Sequence, residues 1–147
     1  MEIAILGLGC FWGPEIKFSK LAGVIKTEVG YCGGDNKETT YKEVCTGNTN
    51  HAEVVKLDFD PKIISYEKIL EHFFSIHDPT TLNSQGPDFG TQYRSEIFYL
   101  NDVQKEIAKK VLKKMNQDLS GRVVTNISLV NNYCPAEEYH QRYLEKR

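Results

Sequence analysis

The chain divides into alternating apolar-periodic segments separated by polar, glycine- and proline-rich stretches. Ile3-Ala4-Ile5-Leu6 is a continuous apolar run, predicting a buried strand from Glu2 to about Leu8. Pro14 fits the first turn of a helix from about Gly13 to Leu21, where its missing N–H costs nothing. Val24 to Tyr31 reads as a second strand. Cys32-Gly33-Gly34-Asp35-Asn36 then opens a polar loop to about Asn50, with one helical turn around Tyr41 to Cys45. His51 to Phe59 alternates as a half-buried strand should. Ser65 is a candidate N-cap for a helix that places Ile69, Leu70, Phe73, Phe74 and His77 on one face, with His77 as a C-cap. A second long loop, Asp78 to Thr91, precedes a strand from Tyr93 to Leu100. Asn101 with Gln104 resembles a capping box ahead of a stripe of Val103, Ile107, Val111 and Met115. Gly121 closes that helix, Val123 to Val130 reads as a strand, and Ala136 to Lys146 as a short terminal helix.

Two strands in succession across the first long loop suit a split βαβ arrangement, a two-layer α+β fold with a mixed sheet and long coil, better than a doubly wound parallel sheet. At 147 residues, one domain spanning 1–147 is expected, burying roughly two-thirds of its unfolded surface. The formal net charge of −2, without a basic block, argues against a nucleic-acid footprint. No apolar run approaches the length of a membrane span. The opening residues lack the basic region of a signal peptide, so they read as a strand and the expected location is the cytoplasm. Cys10, Cys32, Cys45 and Cys134 form no Cys-x-x-Cys pair, and neither they nor His51, His72, His77 and His140 make a ligand set, so no metal or cofactor is expected.

The chemistry concentrates at Gly9-Cys10-Phe11-Trp12-Gly13. A cysteine at a helix start is placed where free N–H groups and the helix dipole lower a thiol pKa, and two large rings directly after it would wall an apolar pocket. Gly7-Leu8-Gly9 imitates a dinucleotide fingerprint, but Phe11 and Trp12 occupy the place where a pyrophosphate must approach the backbone.

The pentapeptide resembles the catalytic signature of the A-type peptide methionine sulfoxide reductases. Thr40-Tyr41-Lys42-Glu43-Val44-Cys45, His51-Ala52-Glu53-Val54-Val55, His77-Asp78-Pro79, Gly86 to Ser95 and Pro135 to Gln141 resemble that family's further motifs, in its order. The resemblance implies a ferredoxin-like core and thiol-dependent reduction of the S epimer of methionine sulfoxide. It implies Cys10 as the nucleophile, Glu53 as the acid on the sulfoxide oxygen, Tyr41 and Tyr93 as hydroxyl donors, and Asp88 as an organiser of the site. Phe11 and Trp12 would seat the S-methyl group. By alternation Glu53 shares a strand face with Val55, where an apolar layer would raise its pKa; from the strand alone, an outward-facing edge glutamate is the commoner arrangement. The tyrosines and Asp88, taken singly, read as packing residues and an Asx turn.

A sulfenic acid left on Cys10 would condense with a second thiol. Many family members carry that thiol on a glycine-rich C-terminal tail, which this chain lacks. Cys134, nearest to the missing tail, is the first candidate and Cys32 the second, while Cys45 stands where the family carries a structural cysteine. Direct reduction by an external thiol is the alternative. Thioredoxin or a similar dithiol is the expected partner of a monomeric enzyme. Two rivals stay open: another cysteine enzyme such as a peroxidase or acyl transferase, and a non-catalytic module that grips oxidised or apolar peptides through Phe11 and Trp12.

Overall fold

A computed structural model describes residues 1–146; Arg147, the last residue of the expected domain, lies outside them. The elements are β1 (Glu2–Leu8), α1 (Trp12–Ser19), β2 (Val24–Cys32), α2 (Tyr41–Cys45), β3 (Ala52–Phe59), α3 (Tyr66–Ser75), the two-residue strands β4 (Ser84–Gln85) and β5 (Asp88–Phe89), β6 (Ser95–Tyr99), α4 (Asp102–Asp118), β7 (Asn126–Leu129) and β8 (Cys134–Pro135). Six strands form one sheet in the order β7-β6-β1-β3-β2-β8. Its centre, β6-β1-β3-β2, is antiparallel throughout and is the split βαβ order of a ferredoxin-like core. A parallel β6–β7 pair at one edge makes the sheet mixed.

The faces follow the pleat. Ala4, Leu6 and Leu8 of β1 and Val55, Leu57 and Phe59 of β3 point to the helix side, packing with Phe18, Ile69, Leu70 and Phe73. Ile5, Ala52 and Val54 point the other way, into a smaller cluster with Cys32 and Phe98. β1 is therefore covered on both faces, which is why its apolar run does not alternate.

The structure corrects the sequence reading at four elements. The last strand before α4 begins at Ser95, because Thr91–Tyr93 wind into a 3-10 turn that lifts Tyr93 off the sheet. The α4 stripe holds at Ile107, Val111 and Met115, which pack on the core, but Val103 is exposed, and Gln104 and Ala108 are buried beside it. Gln104 is buried because its amide is used fully, donating to the Ile3 carbonyl at 2.7 Å and accepting from the Leu100 N–H at 3.0 Å. The strand expected from Val123 is shorter, Asn126–Leu129. The terminal helix is absent, replaced by a 3-10 turn at Glu138–His140 and irregular turns. That segment is tied to the sheet by side chains instead: the Gln141 amide bonds both the N–H and the carbonyl of Val29, each at 2.9 Å. Glu15 accepts the Arg142 N–H at 2.7 Å, and Arg142 itself has a φ of 50°. Such long-range bonds outweigh a weak local helix preference.

Candidate active site

The site forms where β1 ends. The chain leaves the sheet through Gly9, whose φ of 98° and contact with Gln85, 2.8 Å from where a Cβ would sit, admit no side chain. This turn sets Cys10 at the mouth of the helix side and sends Phe11 inward. Cys10 is half-buried, two residues before the first helical residue, Trp12, whose N–H donates to its sulfur. Phe11 is 1% exposed, packed 5.8 Å from the Tyr31 ring and 5.2 Å from the His140 ring. Trp12 remains half-exposed. Its indole N–H donates to His140 Nδ1 at 3.1 Å, and one face stacks on Tyr143 at 3.9 Å.

Glu53 enters from β3 on the helix side, as its alternation with Val55 predicts. It is 1% exposed. Its Oε1 accepts the Phe11 N–H at 3.3 Å, and Oε2 has no hydrogen-bond partner among the described residues. Burial pushes its carboxyl up to about 8; the Phe11 N–H opposes this and the nearby Asp88 charge adds to it. Asp88 sits in the small β4–β5 hairpin, paired across from Gln85, and its charge bears also on Cys10 and Tyr93.

The Cys10 thiol differs from expectation. Burial drives its pKa up to about 11; the Trp12 N–H pulls it down, but the Glu53 and Asp88 carboxylates push it further up. One N–H at the edge of a helix does not offset the loss of water around the thiol. The resting site at neutral pH therefore holds a thiol beside a protonated carboxyl.

Two phenols complete the cluster. Tyr41 opens α2, which Thr40 caps by accepting the Glu43 N–H at 3.2 Å. Its ring lies 4.5 Å from His140, its N–H donates to Glu137 at 2.9 Å, and its hydroxyl donates to the Cys45 thiol. Tyr93 is half-buried, and its hydroxyl pKa is pushed up to about 12 by burial, then by the charges of Glu53, Cys45, Asp88 and Cys10. Raised in this way, both phenols stay neutral at ordinary pH.

Cys10, Phe11, Trp12, Tyr41, Glu53, Asp88 and Tyr93 are thus gathered around one point from five segments of the chain. Cys134 sits on β8 opposite Tyr31, with its thiol 3.8 Å from the Thr39 carbonyl. The sequence reading gave no role to three residues that frame the cluster. His140, 1% exposed, fixes Trp12 and packs on Tyr41; Glu137 bonds the Tyr31 hydroxyl at 2.7 Å and the Tyr41 N–H; Glu15 anchors the segment that carries both. Their partners lie about a hundred residues away in sequence, so no local pattern signals them. Among the described residues no group of three His, Cys, Asp or Glu could hold a metal ion, and no helix is long and apolar enough to cross a membrane.

A half-buried thiol near a protonated carboxyl and two neutral phenols, on a ferredoxin-like sheet, defines a centre suited to thiol attack on an acceptor whose oxygen must be protonated. The family model for peptide methionine sulfoxide reductase matches residues 2–147. The chain is 85% identical over 147 residues to the peptide methionine sulfoxide reductase MsrA of Pelagibacter ubique, covering 100% of both chains. The crystal structure of Mxr1 from Saccharomyces cerevisiae in reduced form superposes with a TM-score of 0.95 at 38% identity, over 99% of this chain and 85% of that one. Mxr1 in complex with Trx2 aligns with a TM-score of 0.70 at 24% identity, over 97% and 84%. The chain belongs to the peptide methionine sulfoxide reductase family.

Proposed function

We propose that this chain reduces methionine-(S)-sulfoxide, free or in exposed or unfolded protein segments, to methionine. The observation that carries this reading is the half-buried Cys10 thiol beside Glu53, a carboxyl whose burial keeps it protonated at neutral pH. A sulfoxide sulfur is a weak electrophile until its oxygen is protonated or strongly hydrogen-bonded. Glu53 gives its proton to the sulfoxide oxygen, with the Tyr41 and Tyr93 hydroxyls donating to the same oxygen as charge develops there. The Cys10 thiol loses its proton as its sulfur attacks, and Glu53, now a carboxylate, is the base positioned to take it. The oxygen passes to Cys10 and the substrate leaves as the thioether: the Cys10 thiol and the sulfoxide become a sulfenic acid and methionine, with atoms and electrons balanced. Asp88 organises the mouth of the site. Trp12, half-exposed, meets the S-methyl group, and Phe11 backs it from the core.

The sulfenic acid returns to the thiol through a resolving cysteine and thioredoxin or a similar dithiol; the yeast relative Mxr1, solved with Trx2, supports that class of partner. We take 1–147 as one reductase domain working as a cytoplasmic monomer without metal or cofactor; the match of the family model to residues 2–147 supports its extent. The S-epimer preference comes from the family resemblance. The test is a single turnover without reductant on the separate S and R epimers of a blocked methionine sulfoxide. One equivalent of product from the S epimer alone is expected. Product from neither epimer overturns the reading in favour of a peptide-binding module.

A further inference from the structure

We propose that Cys45 is the resolving thiol, closing a Cys10–Cys45 disulfide after each sulfoxide is reduced; this rests on the reductase reading above.

The argument begins with α2. Tyr41 and Cys45 are four residues apart and so share one face of this short helix. The Tyr41 hydroxyl bridges them by donating to the Cys45 sulfur. The Tyr41 ring packs at 4.5 Å on His140, which packs at 5.2 Å on Phe11, the residue after Cys10. The face of α2 that bears Cys45 is therefore the face turned to the site. Cys45, Cys10, Tyr93 and Glu53 also lie close enough that ionisation of one would be felt by its neighbours.

The other two cysteines are placed less well. Cys32 is fully buried on the opposite face of the sheet, against Ile5, Ala52, Val54 and Phe98, with its thiol donating to the Asn131 carbonyl at 3.3 Å. A disulfide needs Cα atoms within about 7 Å and Cβ vectors that converge, and here the sheet stands between them. Cys134 is fixed in the β2–β8 ladder opposite Tyr31, its thiol facing the Thr39 and Pro135 carbonyls. Cys45 ends a five-residue helix within the coil that joins β2 to β3, so it can approach Cys10 without altering the register of any strand.

The chemistry suits it. Burial raises the Cys45 pKa, and the Tyr41 hydroxyl restrains that rise by favouring the thiolate, the attacking species. The Cys45 sulfur attacks the Cys10 sulfur; the S–S bond forms, the S–O bond breaks, and hydroxide leaves with the thiol proton as water. The sulfenyl sulfur of Cys10 is reduced as Cys45 is oxidised, with no further oxidant required. Cys45 is exposed, so an external dithiol reaches the resulting disulfide on its Cys45 side and reopens it by exchange.

The experiment is a single turnover of the full chain with S-sulfoxide and no reductant. Methionine product, free thiols and dimedone-trapped sulfenic acid are measured together, and disulfides are mapped by non-reducing digestion and mass spectrometry. The unsubstituted protein and Cys134→Ser are expected to lose two thiols per product, with Cys10 linked to Cys45. Cys45→Ser is expected to yield product, lose one thiol and accumulate the trapped sulfenic acid at Cys10. Loss of two thiols in Cys45→Ser, a Cys10–Cys134 link, or loss of one thiol in the unsubstituted protein overturns the assignment while leaving the reductase reading intact. Absence of product from the unsubstituted protein overturns the reductase reading itself, and the assignment with it.

Discussion

Glu53 and Glu15 are buried to nearly the same degree, at 1% and 2% exposed, yet the protein uses them oppositely. Glu15 is saturated: the Thr27 hydroxyl donates to one oxygen at 2.9 Å and the Arg142 N–H to the other at 2.7 Å. Burial raises its pKa, and those two donors restrain the rise. Glu53 receives a single long bond and keeps one oxygen unpartnered among the described residues, so burial carries its pKa up to about 8. A third carboxylate, Glu137, extends the series. Burial raises its pKa too, but the Tyr41 N–H, its own N–H, the Tyr31 hydroxyl and His140 together bring it below the ordinary value. The number and strength of donors, more than depth, decide whether a buried carboxyl becomes a clamp or a proton carrier.

The sharpest way to test that contrast is Glu53→Gln. It keeps the shape and the Phe11 contact but removes the acid, and turnover near pH 7 should fall by about 10²–10⁴-fold. In the unsubstituted protein turnover should decline through about pH 8 as Glu53 loses its proton. Stability carries a matching signature. A native pKa raised from 4.5 to about 8 means that the folded chain binds more protons than the unfolded one in that window. The Glu53 contribution is thus fully present below about pH 4.5 and is lost as pH rises through 8. Melting curves from pH 6 to 9 should show Glu53→Gln gaining steadily on the unsubstituted protein; parallel curves would mean that Glu53 ionises normally.

Glu15→Ala should do the reverse. It leaves the Thr27 hydroxyl and the Arg142 N–H unpartnered, and should cost about 2–4 kcal/mol in urea unfolding. Its activity should be changed far less than that of Glu53→Gln. A collapse of kcat with no loss of stability would assign Glu15 to the chemistry and undo the contrast. The smallest effect is expected for Tyr31→Phe, which removes one of several donors from Glu137 and should cost about 1 kcal/mol.

How much of this was legible in the sequence depends on how far apart the interacting residues lie. The β-α-β-β-α-β order was readable because periodicity is local, and so was the face of Glu53, since Val55 two residues on is apolar. Cys10 was readable as a turn cysteine before a helix, but its pKa was not. The helix position is written in the sequence, whereas the carboxylates that oppose it arrive from β3 and from the β4–β5 hairpin. The terminal segment misled for the same reason: Gln141 and Arg142 are held by Val29 and Glu15, over a hundred residues earlier. The α4 stripe included Val103 in place of Gln104 because a buried Gln looks polar until both of its partners are known.

The stacking of Trp12 between Tyr143 and the site has one more consequence. Trp12 is the sole tryptophan in the chain, so the protein's entire indole fluorescence originates beside Cys10. Its emission is set by a ring stacked at 3.9 Å on one face and an imidazole acceptor at the N–H. Substrate entry, disulfide closure and docking of a reductant each change the surroundings of that one fluorophore. The catalytic cycle therefore carries its own label-free optical readout when the indole is excited selectively, beyond the absorption of the eight tyrosines.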